Sequence, residues 1–306
     1  MTPIQLLGRE ESNTLYVKRE DFIPFSFGGN KARKAELFFR EIDEKGCGAV
    51  VTYGSASSNH CRVVANQCRR RGLPCWIISP DEGGEQTFNS RMTELFGARR
   101  ITVPLDRVHD TIEDKLAELR QAGANPYFIE GGGHGPIGTE AYVQCYREIT
   151  AQEKDMGLRF DYIFFASGTG TTQAGLVCGQ IMARDADRRI IGISIARKNP
   201  RGRGVVLDSI RTYLGGEVPE EEIQARTVFV DAYASGYGRR DGAIAETIGD
   251  ALSRYGLPLD ATYTGKAFWG MREYIRQQKI AEKNILFIHT GGTPLFFDFL
   301  RDEVEP

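Results

Sequence analysis

The chain has 306 residues, of which 41% are hydrophobic and 26% charged, and its formal net charge is −2. This composition is typical of a globular protein with one large or two moderate domains, and it gives no reason to expect nucleic acid or a membrane surface as a partner. No apolar run approaches the ~20 residues of a membrane span, and no signal pattern opens the chain. Six cysteines without a Cys-x-x-Cys pair and four histidines without metal-ligand spacing predict a cytoplasmic protein with reduced thiols and no metal.

The first informative segment is 28–34, Gly-Gly-Asn-Lys-Ala-Arg-Lys. It follows an extended run at 16–20 and opens a helical stretch from Ala32 toward Lys45. A structural cation is poorly placed at a helix N-terminus, where the macrodipole favours negative charge. Glycines, exposed N–H groups and the ammonium of Lys31 suit an anionic ligand instead. A surface lysine after a turn explains the same residues equally well.

From residue 49 onward, short apolar runs alternate with amphipathic segments of helix length. Continuous apolar character favours parallel strands that helices cover on both faces. The predicted strands are 49–53, 75–78, 100–103, 126–129, 162–165, 190–195 and 285–288. The predicted helices between them are 59–71, 89–96, 110–121, 139–151 and 174–185. The pattern predicts an α/β protein with two sheets.

Glycine-rich turns follow several predicted strands, at the sheet edge where open α/β folds bind ligands. In the turn 167–172, Ser-Gly-Thr-Gly-Thr-Thr, N–H groups and threonine hydroxyls can surround a phosphate at a helix N-terminus. The turn is neither a Walker loop nor a complete Gly-x-Gly-x-x-Gly motif, and a plain capped turn is the alternative. The turns 54–60 and 289–294 have a similar position. In the first of them, Ser58 or Asn59 alone would explain the sequence as a helix cap.

Together, these features resemble the fold-type II pyridoxal-phosphate enzymes, and among them the family of D-cysteine desulfhydrase and 1-aminocyclopropane-1-carboxylate deaminase. The resemblance covers nearly the whole chain. It is carried by residues 27–34, 58–62, 89–98, 127–142, 167–176, 236–238, 263–267 and 289–292. It implies two three-layer α/β/α domains with mostly parallel sheets, as in the β-subunit of tryptophan synthase, and a homodimer. We expect a large cofactor-binding domain at 1–48 plus 156–306 and a smaller domain at 49–155.

The resemblance also implies roles for individual residues around pyridoxal 5'-phosphate. Lys31 would join the cofactor aldehyde and, once freed, take the α-hydrogen of the substrate. Asn59 would contact the ring hydroxyl, while the segment Ser58, Asn59 and His60 would bind the substrate carboxylate. The expected catalytic residues are Lys31, Ser58, Tyr237 and Tyr263. The residues expected around the phosphate are Gly168, Thr169, Gly170, Thr171 and Thr172.

The segment 263–267 distinguishes branches of this family. Tyr237 and Tyr263 match the two active-site tyrosines, but the deaminase carries glutamate where this chain has Thr264. A carboxylate would keep the pyridine nitrogen protonated, whereas a hydroxyl of Thr264 or Thr290 would not. A cofactor ring whose nitrogen is not held protonated withdraws electrons less strongly from the substrate. It therefore favours prompt loss of a good leaving group from the β-carbon. We therefore expect β-elimination on a small sulfur-containing amino acid such as D-cysteine, giving a keto acid, ammonia and sulfide.

Other functions stay open at this point. Cysteate sulfo-lyase and 1-aminocyclopropane-1-carboxylate deaminase are alternatives within the family, and β-replacement or racemisation occurs in related enzymes. An α/β protein that binds a phosphorylated metabolite without chemistry is the non-enzymatic alternative. Arg239 and Arg240 stand where the family has a proline-containing turn. They would bind a second substrate anion if they face the pocket, and they have no such role if they face solvent.

Overall fold

The computed structural model describes residues 1–81, 83, 86–233 and 242–304. The strands are β1 (Ile4–Glu10), β2 (Asn13–Lys18), β3 (Ala49–Tyr53), β4 (Cys75–Pro80), β5 (Arg99–Val103), β6 (Pro126–Ile129), β7 (Tyr162–Ser167), β8 (Arg189–Ser194), β9 (Val228–Val230) and β10 (Asn284–Ile288). The α-helices are α1 (Asn30–Glu44), α2 (Asn59–Arg71), α3 (Phe88–Leu95), α4 (Val108–Gln121), α5 (Pro136–Met156), α6 (Thr171–Met182), α7 (Arg201–Leu214), α8 (Glu220–Arg226), α9 (Gly242–Tyr255), α10 (Thr264–Gln277) and α11 (Thr293–Val304). Within these described ranges, no helix combines the length and the apolar character that crossing a bilayer requires.

Two sheets organise the chain, as the sequence predicts. The larger sheet has the strand order β1-β2-β10-β7-β8-β9, and only β1 runs antiparallel to its neighbour. The smaller sheet has the order β5-β4-β3-β6 and is parallel throughout. All seven predicted strands and all five predicted helices are present. The prediction of an α/β protein with mostly parallel sheets is therefore confirmed.

The hydrophobic core has separate clusters on the two faces of each sheet. Two helices connect the sheets through these clusters. Phe38 and Phe39 of α1 lie in the core of the smaller sheet, whereas Tyr142 and Tyr146 of α5 lie in the core of the larger one. Because α1 and α5 each pack on the sheet of the other predicted domain, they join the two halves. The division of the chain at 48/49 and 155/156 stays a prediction.

A buried ion-pair network fixes the first turns of α1 against β2 and α5. Arg33 Nη2 donates to Glu20 Oε1 at 2.7 Å, and Arg33 Nη1 donates to Glu148 Oε2 at 3.1 Å. Lys18 Nζ donates to Glu148 Oε1 at 2.7 Å. Burial raises the pKa of Glu148, but Arg33 and Lys18 outweigh it and hold that pKa at about 2. The network holds the helix turn that carries Lys31.

Candidate active site

One cavity of about 590 Å³ lies between the two sheets. Its walls are the turns after β3 and β6 of the smaller sheet and after β7, β8 and β10 of the larger sheet, together with the start of α1. Those turns lie at the carboxyl ends of parallel strands, where this class of fold binds ligands. The predicted site residues that line the cavity are Lys31, Ser58, Asn59, His60, Gly168, Thr169, Gly170, Thr172, Tyr263 and Thr290.

Lys31 is the second residue of α1, and its side chain is part of the cavity wall. Lys31 Nζ donates to the Gly132 carbonyl at 3.0 Å. Burial lowers the pKa of Lys31 to about 8, although the nearby Cys61 opposes this shift. Roughly a tenth of the Lys31 amines are then neutral at pH 7, which makes the residue competent as nucleophile and base.

The two glycines before α1 allow the helix to begin against the turn after β10. Gly29 has φ of 93°, and a Cβ there would lie 2.6 Å from the Thr290 carbonyl oxygen. Asn30 N donates to that same oxygen at 2.9 Å. Because a side chain would meet backbone, only glycine fits at position 29. This contact places Lys31 and Thr290 on one wall.

The turn 168–172 joins β7 to α6 and leaves the first N–H groups of α6 without a side-chain cap. These donors and the helix dipole are a suitable site for an anion. The hydroxyl of Thr172 accepts from Asn30 Nδ2 at 3.2 Å, and the hydroxyl of Thr171 accepts from Lys34 Nζ at 2.6 Å. Thr171 is fully buried and lies behind the cavity wall.

Lys34 is a site residue to which the sequence reasoning gave no role. It is buried one helical turn after Lys31, and it also approaches the Gly132 carbonyl at 3.4 Å. Burial, and next the charge of Lys31, hold its pKa well below the ordinary value. The i, i+3 spacing of the two lysines was the available signal, because it places both on one helix face.

The turn before α2 combines capping with exposure to the cavity. Ser58 caps α2 by accepting from Cys61 N at 3.3 Å, so the capping interpretation is confirmed, and Ser58 lines the cavity as well. Asn59 Oδ1 accepts from Arg62 Nη1 at 2.6 Å and from Asn89 Nδ2 at 2.9 Å. These bonds fix the orientation of the Asn59 amide. Its Nδ2 is then the group that can donate to a ligand.

His60 is held as a neutral side chain. The Thr52 hydroxyl donates to the Ile129 carbonyl at 2.7 Å, so His60 Nε2, at 2.8 Å, donates to that hydroxyl. Burial, with smaller contributions from Lys31 and Lys34, holds the pKa of His60 well below its ordinary value. His60 therefore adds no charge to the cavity near neutral pH.

The two threonines proposed for the pyridine nitrogen occupy different places. Thr290 lines the cavity. Thr264 is fully buried and does not; its hydroxyl donates to Asp260 Oδ2 at 2.8 Å and accepts from Asp260 N at 2.9 Å. Of the pair, only Thr290 is part of the cavity wall. Tyr237, which was predicted to be catalytic, lies outside the described residues, as do Arg239 and Arg240.

Comparison with known proteins decides the family. A family model described as pyridoxal-phosphate dependent enzyme matches residues 1–291. The chain belongs to this family. It is 34% identical over 306 residues to a putative 1-aminocyclopropane-1-carboxylate deaminase of Pyrococcus horikoshii, covering 95% of this chain and 89% of the relative. It is 33% identical over 309 residues to a D-cysteine desulfhydrase of Yersinia enterocolitica, covering 96% of this chain and 89% of the relative.

Solved structures agree with this pyridoxal-phosphate-dependent family. The crystal structure of an ACC deaminase homologue superposes with a TM-score of 0.87 at 31% identity, over 98% of this chain and 92% of the other. A threonine deaminase shares the fold, with a TM-score of 0.65 at 15% identity over 91% of this chain and 87% of the other. The predictions of a fold-type II architecture, of an enzyme and of a pyridoxal-phosphate cofactor are confirmed.

The residues present fit the phosphate and the aldehyde of this cofactor. The uncapped start of α6 offers N–H donors, and Lys34 lies behind it. The negative charge of a phosphate there would oppose the effect of burial on the pKa of Lys34 and favour its protonated form. Lys31 opens onto the same cavity with an amine of lowered pKa. A Cβ on Gly132 would lie 2.6 Å from Thr169 Cγ2 and 3.2 Å from Lys31 Nζ, so the glycine keeps the space between them open.

Two further cavity residues, His134 and Arg197, carried no motif by which the sequence could mark them. His134 Nδ1 lies 3.2 Å from the Thr169 carbonyl, to which it can only donate. Arg197 follows β8 on the opposite sheet. The available signal was their position shortly after a strand of a parallel sheet.

Proposed function

We propose that this enzyme catalyses β-elimination on a small sulfur-containing amino acid such as D-cysteine, releasing a keto acid, ammonia and sulfide. The observation that carries the proposal is that Lys31, whose pKa is lowered, and Thr290, an uncharged residue whose hydroxyl we assign to the ring nitrogen, line one cavity wall. The hydroxyl does not compel protonation of a ring nitrogen as a carboxylate would. This combination favours early departure of a β leaving group.

Each wall of the cavity has a part in the proposed reaction. Pyridoxal phosphate, when bound, supplies an electron sink for the charge that develops at the substrate α-carbon. Ser58 and the N–H groups at the start of α2 bind the substrate carboxylate, since a helix N-terminus favours an anion. The neutral Lys31 amine removes the α-hydrogen, and the Gly132 carbonyl then holds the resulting ammonium.

The start of α6 is proposed to hold the cofactor phosphate, with N–H groups of the segment 168–172, the hydroxyl of Thr172 and the charge of Lys34. Asn59 Nδ2 is proposed to donate to the ring hydroxyl, and Thr290 to face the ring nitrogen. Tyr263 lines the same cavity and is kept as a catalytic candidate. The homodimer and the cytoplasmic location stay predictions.

Deamination of 1-aminocyclopropane-1-carboxylate is the second candidate function, favoured by the names of the Pyrococcus relatives and of the ACC deaminase homologue. Thr264 argues against it on the resemblance described above. Cysteate cleavage is the third candidate, since sulfite replaces sulfide as leaving group in an otherwise equivalent elimination.

A substrate panel tests the proposal. The purified holoenzyme is offered D- and L-cysteine, cysteate and 1-aminocyclopropane-1-carboxylate, and pyruvate, sulfide, sulfite and 2-oxobutanoate are measured. We expect pyruvate and sulfide in equal amounts from a cysteine enantiomer, and none from Lys31→Ala. Faster 2-oxobutanoate release from the cyclopropane substrate would overturn the preference for elimination. Undiminished turnover by Lys31→Ala would overturn the assignment of Lys31.

A further inference from the structure

Arg197 is a cation of the cavity wall that the proposed reaction does not use. It lies in the segment after β8 and lines the cavity together with Ile195 and Val205. Its Nη1 is buried and has no hydrogen-bond partner among the described residues. A buried donor of a charged group is costly when it is left unpaired. Such an atom in the wall of a ligand cavity indicates that a ligand supplies the acceptor.

The position of Arg197 is fixed by its surroundings. The Ser194 hydroxyl donates to the Arg197 carbonyl at 2.6 Å, which closes the turn after β8. Arg197 Cβ lies 3.3 Å from the position that a Cβ on Gly202 would take, so the residue packs closely on the start of α7. The backbone that carries the Arg197 side chain is therefore held in place, which keeps the entropic cost of ordering it on ligand binding low.

Two residues that line the cavity together with Arg197 contact the proposed phosphate turn. Ile195 Cγ1 lies 3.6 Å from the Cβ position of Gly168, and Val205 Cγ1 lies 3.2 Å from that of Gly170. The part of the wall that Arg197 shares with Ile195 and Val205 thus reaches the turn at which the cofactor phosphate is expected. The other cavity cation, Lys31, bonds to a carbonyl, and Lys34 behind the wall bonds to a hydroxyl. In the described chain, the Arg197 guanidinium makes no ion pair with a carboxylate.

We infer that Arg197 binds an oxyanion inside the loaded cavity, and that the oxyanion is a second anionic group on the substrate, such as the sulfonate of cysteate. This inference rests on the β-elimination proposed above, with cysteate, the third candidate substrate, as the amino acid and sulfite as the leaving group. A planar guanidinium with an unpaired N–H suits the oxygens of such a group. The cofactor phosphate has the same chemistry and is the other source of oxyanion. Because the turn 168–172 and Lys34 already serve that phosphate, we assign the substrate group to Arg197.

The test compares ligands that differ in one anionic group. The spectral dissociation constants of cysteate and of alanine are measured on the holoenzyme, for the wild type and for Arg197→Gln, Arg197→Lys and Arg201→Gln. Arg201 is exposed at the start of α7, so Arg201→Gln removes an equal charge close by without touching the cavity wall. The affinity of each apoprotein for pyridoxal phosphate is measured in parallel.

We expect Arg197→Gln to weaken cysteate binding about ten- to hundredfold and to leave alanine binding unchanged, as for the loss of hydrogen bonds to a charged group. The cysteate affinity of Arg197→Lys should lie between those of the wild type and Arg197→Gln, because lysine keeps the charge but lacks the planar guanidinium. It also serves as the informative variant if Arg197→Gln does not fold. Arg201→Gln should change cysteate affinity much less than Arg197→Gln does, because Arg201 acts on Arg197 only through its charge.

Two other outcomes are decisive. A selective loss of affinity for pyridoxal phosphate in Arg197→Gln would support oxyanion binding with the cofactor as the source. Unchanged affinities for cysteate and cofactor, or an equal loss for cysteate and alanine, would overturn the inference. A wild type that binds cysteate but releases no keto acid from any substrate would overturn the proposed function instead, so the two failures are distinguishable.

Discussion

The lowered pKa of Lys31 predicts how fast the apoprotein captures pyridoxal phosphate at each pH. Only the neutral amine attacks an aldehyde, and burial brings the pKa from 10.5 to about 8. At pH 7 the neutral fraction is then roughly 10%, against roughly 0.03% for an ordinary lysine, a difference of about 300-fold. The capture rate should rise about tenfold per pH unit below pH 7 and level off above about pH 9.

The assay follows the visible absorbance of the lysine-bound cofactor after apoprotein is mixed with pyridoxal phosphate. Nα-acetyl-lysine serves as the reference amine, because the ε-amine is its only amine. The cofactor itself titrates over this range, and the ratio of the two rates removes that contribution. A ratio that is constant up to about pH 7 and then falls roughly 70-fold by pH 10 would confirm the low pKa. A ratio that does not change with pH up to about pH 10 would refute the reasoning, since Lys31 would then titrate as an ordinary lysine.

The same shift affects the stability of the apoprotein. Folding disfavours protonated Lys31, so below pH 8 the residue costs up to about 3 kcal/mol, from roughly 2.5 pKa units at 1.36 kcal/mol each. This cost disappears as the pH rises from about 8 to 10.5. Lys31→Met, which also relieves the repulsion on Lys34, should therefore be more stable than the wild type in urea at pH 7. A stability gain of Lys31→Met that is as large at pH 10.5 as at pH 7 would show that the burial of protonated Lys31 is not its cause.

Two further predictions concern the frame of the site. Glu148→Gln should lose about 1–2 kcal/mol of stability in urea at pH 7, because Arg33 loses a charged acceptor. The lowered pKa of Glu148 stabilises the wild type above about pH 4.5 and is lost toward pH 2, so the difference should vanish in acid. Gly29→Ala should cost more than about 3 kcal/mol, because its Cβ meets the Thr290 carbonyl, whereas Gly123→Ala, with φ of 77° and open space, should cost only about 1 kcal/mol. Equal melting temperatures of Gly29→Ala and Gly123→Ala would show that the close approach of residue 29 to the Thr290 carbonyl does not limit stability.

Of the seven predicted strands, β5 and β6 form the edges of the smaller sheet, and the other five lie in the interior of a sheet. Their runs are apolar throughout because helices cover both faces, as in β7, where Ile163, Phe164 and Phe165 are fully buried. Three strands were not predicted. β1 and β9 lie at the edges of the larger sheet, and β2 lies inside it and overlaps the extended run at 16–20 only in its second half. β1 is largely solvent-facing and interrupted by an irregularity between Leu6 and Gly8, and β9 has three residues, too few for a periodic pattern.

The site is predictable where a turn follows a predicted strand, and unpredictable where burial decides the role. The turns at 54–60, 167–172 and 289–294 all meet at the cavity because parallel strands share a carboxyl edge. Arg197 and Lys34 belong to the site only because neighbouring elements enclose them, which the local sequence does not encode. Cations close to them in sequence have other surroundings: Arg33, next to Lys34, pairs with Glu20, and Arg201, four residues after Arg197, is exposed.

The difference between Thr264 and Thr290 explains how a carboxylate can lie close to the site without altering its chemistry. Asp260 is fully buried, and a Cβ on Gly292 would lie 2.2 Å from its Oδ2. N–H groups of residues 262–264 and the Thr264 hydroxyl donate to the Asp260 carboxylate. These bonds favour its charged form, but burial outweighs them and raises the pKa of Asp260. With both oxygens occupied and Gly292 packed against them, Asp260 has no lone pair directed at a ring nitrogen. The hydroxyl of Thr290 is then the group that meets that nitrogen in our proposal, and the neutral contact favours elimination over deamination.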